Sequence, residues 1–472
     1  MSSTVQNIVS LLDNSITYAQ GIVHVTNRDN LRKNIHKLAE ISALETGERQ
    51  GMARLITRGA AADLGIYPAS ICELYMARGR GEVPPTFSVP AMNLRVLSFD
   101  AARAVFRAAR AIDAGVFIFE IARSEMGYTN QRPTEYSTSI LAAAIAEGYE
   151  GPVFIQGDHF QVSEKRYKED KEAEISSLKT LIREAIAAGF YNIDIDTSTM
   201  VDLSKKTIPD QQKLNIELSA MFTAYIRSVE PNQVTISVGG EIGEVGGHNS
   251  TEEELHAYLD GYQKELENLM PGAAGLSKIS IQTGTSHGGV VLPDGSIASV
   301  NVDLDTMKHL SQVSREKYGL GGAVQHGAST LPEEAFGKFP EAGACEVHLA
   351  TNFMNMFYDR IPDELRKAMY AYLDENQTAN RKKDMTDEQF YYKTRKYAVG
   401  PFKPQEWALG DEIRSEIGRA WETQFKDLFH LFGLEGSRKY VDKFVTPVNV
   451  QPLVKDYLGE EVKAGDVKDL AD

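Results

Sequence analysis

Three histidines close short apolar runs, in Ile155-Gln156-Gly157-Asp158-His159, Ile281-Gln282-Thr283-Gly284-Thr285-Ser286-His287 and Val324-Gln325-His326-Gly327. Three neutral imidazoles at one point can ligate a catalytic zinc and leave a coordination position open for water or a substrate oxygen. Asp158 places a carboxylate next to the first of them. A single strand-end histidine is usually an ordinary hydrogen-bonded residue, so the metal reading rests on the three together and on the element that would make them converge.

A barrel of parallel strands is that element. From about residue 87, apolar runs alternate with stretches of helical periodicity such as 100–112 and 175–188, a βαβα rhythm. The runs are 87–92, 116–120, 153–156, 192–196, 235–239, 278–282, 322–325 and 345–349, which predicts an α/β fold, a TIM (β/α)8 barrel. A doubly wound sheet usually carries a glycine-rich nucleotide loop, and neither GxGxxG nor GxxxxGK[ST] occurs. Residues 1–84 read as a helical N-terminal extension, 85–355 as the barrel and 356–472 as a helical C-terminal extension, interrupted at Gly400-Pro401-Phe402-Lys403-Pro404.

Chemistry in such barrels sits where strands end and βα loops begin. Asn93 follows the first run, Glu120 ends the second, Asp158 and His159 follow the third, Asp196 ends the fourth and Glu241 follows the fifth. His287 and His326 follow the sixth and seventh, and His348 lies near the end of the eighth. Polar groups at buried strand ends need partners, ligands or solvent, and a shared active site supplies them. His24, His36, His256, His309 and His430 lie in helical or surface contexts and His248 in a glycine-rich stretch, so all six read as non-ligands.

The chain has 472 residues, 42% of them hydrophobic, and a net charge of −16. Without a block of Lys and Arg, nucleic acid and acidic membranes are disfavoured and a small molecule is the expected partner. Two cysteines exclude a disulfide framework and a thiolate zinc site. The first residues lack a basic and apolar leader, and no apolar run approaches the roughly 20 residues that span a bilayer, so a cytoplasmic location is expected.

The motifs Gly157-Asp158-His159, Gly240-Glu241-Ile242-Gly243-Glu244-Val245-Gly246-Gly247, Thr283-Gly284-Thr285-Ser286-His287-Gly288 and Gln325-His326-Gly327-Ala328-Ser329 occur in this order. Together they resemble the zinc-dependent class II fructose/tagatose-bisphosphate aldolases over about residues 85–355. The resemblance implies that His159, His287 and His326 bind Zn2+ or another divalent metal and that Asp158 handles the proton of the substrate C4 hydroxyl. Glu241 would orient a ligand, and Glu244 is a further proton-transfer candidate. Zinc would polarise a ketose carbonyl and stabilise the enediolate left when C3–C4 breaks. Asp158 could instead cap a helix or orient a ligand.

Phosphate would be held by Gly288, Gly327, Ser329 and Thr351, although small residues there also suit tight turns. Asn93, Glu120 and His348 would face the substrate. His348 stands where the family usually has Asn, while Glu120 and Ala122 replace the usual Gln and phosphate-binding Ser. Arg123 is available to compensate. Ala350 matches the tagatose-type branch better. The expected function is retro-aldol or aldol chemistry on a ketose or its phosphate, with C4 epimerisation on the same scaffold as the alternative. An assisting monovalent cation is compatible with either, and the helical extensions suggest a homo-oligomer. A Schiff-base route is disfavoured because Lys278 begins its strand and faces the wrong rim.

Overall fold

The computed structural model describes residues 3–243, 248–285, 292 and 302–458. Its strands are β1 (Ile16–Ala19), β2 (Ile22–Val25), β3 (Ile66–Ala69), β4 (Val89–Asn93), β5 (Ile118–Ala122), β6 (Gly151–Gln161), β7 (Asn192–Asp196), β8 (Ser237–Glu241), β9 (Lys278–Ile281), β10 (Ala323–Gln325) and β11 (Glu346–Leu349). Strands β4 to β11 pair in parallel, each with the next, and β11 returns to β4. This is the predicted TIM barrel with helical extensions. Its strands read as apolar runs because helices cover one face and barrel-filling side chains the other.

Helix capping makes the alternation local. The helix Lys171–Ala188 starts at Asp170, whose carboxylate accepts the Ala173 N–H, and stops at Gly189, φ +95°. The helix Ser98–Ala111 sets Phe106 against Phe119 and Tyr149 at ring-centroid distances of 5.0 and 4.8 Å, joining sheet to helix layer.

Four local expectations are corrected. The third run continues to Gln161, with a register shift between Gly157 and Phe160, so Asp158 and His159 lie within the strand. Likewise, Glu241 ends β8 instead of following it. The N-terminal extension adds a β1–β2 hairpin and donates β3 to β6 in parallel. Asn192 seals that junction: its side-chain oxygen accepts the Ile71 N–H at 2.9 Å, and its amide donates to the Ala69 and Ile155 carbonyls. Finally, Gly400 to Pro404 lie inside the helix Lys396–Trp407. Gly400 packs so closely that an added Cβ would meet the Tyr128 carbonyl oxygen at 2.5 Å, and this packing keeps the chain helical despite two prolines.

The C-terminal extension belongs to the outer layer. Trp421, buried on the helix Asp411–Leu431, donates its indole N–H to the Phe353 carbonyl, and Arg414 pairs with Asp100 at 2.7 Å. No helix among the described residues is long and apolar enough to cross a membrane.

Candidate active site at the barrel mouth

Inward-facing residues alternate along the strands, so each of four strands offers two polar side chains: Gln156 and Asp158 on β6, Asp194 and Asp196 on β7, Lys278 and Ser280 on β9, Glu346 and His348 on β11. The earlier member of each pair lies deeper and the later one nearer the mouth. The β6 irregularity adds His159 to the mouth. In a regular strand its side chain would point opposite to that of Asp158, but at φ +38° it turns inward, and Phe160 folds back to where a Cβ on Gly157 would lie 2.4 Å from its ring. Such a bulge re-aims a side chain.

Three imidazoles form a row. The ring centroids of His159 and His326 are 4.3 Å apart, and those of His326 and His348 are 4.0 Å apart. His159 Nδ1 donates to Asp196 at 3.1 Å, with Glu241 Oε2 at 3.6 Å, while its Nε2 lies 3.1 Å from His326 Nδ1. Ser280 Oγ meets His326 Nε2 at 3.0 Å. Two imidazole nitrogens this close need a shared proton or a cation between them. The spacing approaches the roughly 3.3 Å that two nitrogens adopt on a tetrahedral ion with bonds of about 2.0–2.1 Å, and the outer nitrogens have the partners that ligating imidazoles use. His159, Glu241 and His326 present ligand atoms within 4.8 Å of one another, so these residues fit a divalent metal.

Asp158 lies beside this row, its Oδ2 accepting from the Asn93 amide at 3.0 Å. Its Oδ1 is buried without a hydrogen-bond partner, 3.7 Å from His159 Nε2 and 3.2 Å from His348 Nδ1. Burial opposes ionisation, but His159 and His348 outweigh it and hold the carboxyl well below its ordinary range. Burial pushes Glu120 up to about 8, with His348 opposing and Asp158 and Glu346 adding to the rise. Glu241 is raised by burial and by Asp196. Burial works against the charged forms of His159 and His348, yet the carboxylates around them raise both.

Below the imidazoles, Lys278 Nζ reaches Glu346 at 2.5 Å, Gln156 at 2.8 Å and Asp194 at 2.9 Å. Tyr75 donates to Glu346, whose other oxygen meets His348 Nε2 at 2.7 Å. Burial favours neutral Glu346, but Lys278 and His348 hold it down to about 2. Lys278 is raised by these carboxylates against its burial, the reverse of what Schiff-base chemistry requires.

Among the expected site residues, Asn93, Glu120, Asp158, His159, Glu241, His326 and His348 therefore converge. Gly327 turns the chain at φ +68° after β10, Ser329 accepts the Ala350 N–H at 2.6 Å, and Thr351 begins the helix Thr351–Tyr358. Glu244, His287 and Gly288 lie outside the described residues. Arg123 does not compensate for the missing Ser hydroxyl: it is buried against Glu174 at 2.6 Å. Asp194, Lys278, Glu346 and Gln156 were not among the expected site residues, and their signal was polar residues at every second position of otherwise apolar strands.

The described residues therefore form a parallel eight-stranded barrel with an imidazole and carboxylate cluster at its mouth, a candidate metal site. The chain belongs to the class II fructose-bisphosphate aldolase family, whose family model matches residues 85–415. A structure from Sinorhizobium meliloti 1021, described as a probable tagatose 6 phosphate kinase, is similar with 15% identity and a TM-score of 0.51, over 79% of this chain and 97% of that one. A fructose-bisphosphate aldolase from Campylobacter jejuni shows 15% identity and a TM-score of 0.45, over 79% and 96%. The aldolase YdjI from Escherichia coli K12 shows 14% identity and a TM-score of 0.45, over 78% and 99%. No curated protein sequence matches significantly.

Proposed function

We propose that the chain is a divalent-metal-dependent aldolase that cleaves and forms a ketose or ketose phosphate at C3–C4. The observation that carries this reading is Asp158 Oδ1, buried without a hydrogen-bond partner beside imidazoles spaced for a metal. His159 and His326 would hold the ion, with His287 as the third imidazole. A bound zinc ion would polarise the ketose carbonyl and offset the charge left on that fragment.

Asp158, oriented by Asn93, takes the proton of the C4 hydroxyl. As C3–C4 breaks, C4 becomes an aldehyde and the bonding pair stays with the ketose fragment. Asp196 and Ser280 fix the imidazole orientations, and Glu241 aids His159. Gly288, Gly327, Ser329 and Thr351 would contribute to phosphate binding. The cytoplasm and a homo-oligomeric state suit this reading, as does the division at residues 84/85 and 355/356.

The test is to incubate zinc-loaded protein with a panel of ketoses and their phosphates, following aldehyde release and epimer formation together. Aldehyde release abolished by chelation and restored by zinc supports the aldolase reading. Isomeric ketose without free aldehyde identifies a C4 epimerase, with Glu120 and His348 as added proton-handling groups. Turnover that survives removal of all divalent metal overturns both. Asp158→Asn should lower kcat about 10²–10⁴-fold, the usual range for a lost acid–base group, while metal content stays unchanged.

A further inference from the structure

The C-terminal extension encloses a small cavity against the helix layer of the barrel. The helix Lys396–Trp407 supplies Lys403, Glu406 and Trp407 to its wall, the segment after β4 supplies Arg95, and the helix Pro133–Glu147 supplies Glu135. There is room for about one water molecule or one monatomic ion. Two residues of this wall each carry a buried polar atom without a hydrogen-bond partner, Arg95 Nε and Glu406 Oε1. The Arg95 side chain is 10% exposed and Glu406 is 2% exposed, so water outside the cavity does not serve them. Lys403 Nζ donates to the Asn130 carbonyl at 2.6 Å and to Glu135 Oε1 at 2.7 Å. An ammonium has three hydrogens, which leaves one for the cavity.

The wall selects its occupant by charge and by hydrogen-bond sense. Arg95 and Lys403 only donate. Burial pushes the Glu406 carboxyl up to about 8 against the opposing pull of Lys403, so at neutral pH it is mostly protonated and donates as well. A metal cation would meet two like charges here. A water oxygen accepts two hydrogen bonds, too few for three donors, and must place two hydrogens of its own. A phosphate or sulfate exceeds the space. A halide ion accepts from every direction and matches it in size. The charge count also permits one: a proton on Glu406 together with a monovalent anion leaves the same total as the ionised carboxylate by itself. The other charges around Glu406 are paired, Arg95 with Glu125 at 3.4 Å, Lys403 with Glu135 at 2.7 Å, and Arg414, which lies over Trp407, with Asp100 at 2.7 Å.

We propose that Arg95, Lys403 and Glu406 form a site for a halide ion, chloride being the abundant one, that ties the C-terminal extension to the barrel. The site does not depend on the aldolase reading. Its position nevertheless bears on the barrel mouth. Glu125, the carboxylate paired with Arg95, accepts from the Asn93 amide at 2.7 Å, and the same amide donates to Asp158 at 3.0 Å. An ion held by Arg95 therefore fixes the outer end of a row of side chains that finishes at Asp158.

Crystals of the full-length protein grown at pH 6.5 in sodium bromide test the site directly. An anomalous bromine peak in contact with Arg95, Lys403 and Glu406 is expected, and a cavity without that peak overturns the proposal. In solution at pH 6.5 and constant ionic strength, the thermal midpoint should rise saturably, by a few degrees, as chloride or bromide replaces gluconate, which is too large to enter. At pH 9.5 the rise should vanish, because an ionised Glu406 repels the anion. Glu406→Gln keeps a donor without the charge and should show the rise at both pH values. A wild-type midpoint indifferent to halide at pH 6.5, or a rise that persists undiminished at pH 9.5, overturns the proposal.

Discussion

The deep and outer halves of the barrel interior use the same residue types to opposite ends. In the deep half, Lys278 binds two carboxylates and the Gln156 oxygen, Tyr75 covers Glu346, and of these groups Asp194 Oδ1 alone lacks a hydrogen bond. In the outer half, carboxylates and imidazoles crowd together with atoms such as Asp158 Oδ1, Glu120 Oε1 and His348 Nδ1 left without a well-directed hydrogen bond. Charge neutralised in place supports a structure, whereas charge left partly uncompensated at the mouth is available to a ligand.

This contrast can be broken from the mouth first. His326→Ala should abolish stoichiometric zinc binding and aldehyde release while the circular dichroism spectrum stays native, and retained zinc would remove the outer half from the chemistry. Asp196→Asn should weaken zinc about 10–100-fold by releasing the His159 ring, read by competition with a chromophoric chelator. The deep half should respond in stability instead. Lys278→Met leaves Glu346 and Asp194 with His348 as their remaining cationic neighbour and should cost about 3–5 kcal/mol in urea unfolding.

Glu406 offers a comparison outside the barrel. Its Oε1 has no hydrogen-bond partner, and burial pushes the carboxyl up to about 8 despite Lys403. Because the folded value is raised, its stabilising contribution is full below the ordinary carboxylate range and is lost as pH rises towards 8. Glu406→Gln should flatten that decline, a difference of about 2–5 kcal/mol across the window, measured as urea midpoints against pH. Smallest of all, the exposed pair Arg28 and Glu150, 3.2 Å apart, should yield less than about 1 kcal/mol on Arg28→Ala, vanishing in high salt.

All eight barrel strands were legible as apolar runs, because both of their faces are covered. So was the convergence of Asp158, His159 and His326, since parallel strands deliver their C-terminal ends to one rim. The β6 irregularity was not legible: it depends on how Phe160 packs over Gly157. Strand β3 was missed because Ile66-Tyr67-Pro68-Ala69 is short and carries a proline, tolerated where a strand adds at an edge. The deep Lys278 cluster was visible only as alternating polar residues, and which of them would pair depends on barrel closure. The Gly400 to Pro404 segment misled because packing against Tyr128 outweighs local propensity.

Strand β3 has a consequence for biogenesis. Its partner stretch of β6, residues 151–154, leaves the ribosome some eighty residues later, at roughly 5–20 residues per second. Until then the nascent segment must wait with its ladder groups unmatched. A truncation that begins the chain at residue 85 would be born without that delay, and would carry for its whole life the bare flank of β6 that β3 otherwise covers.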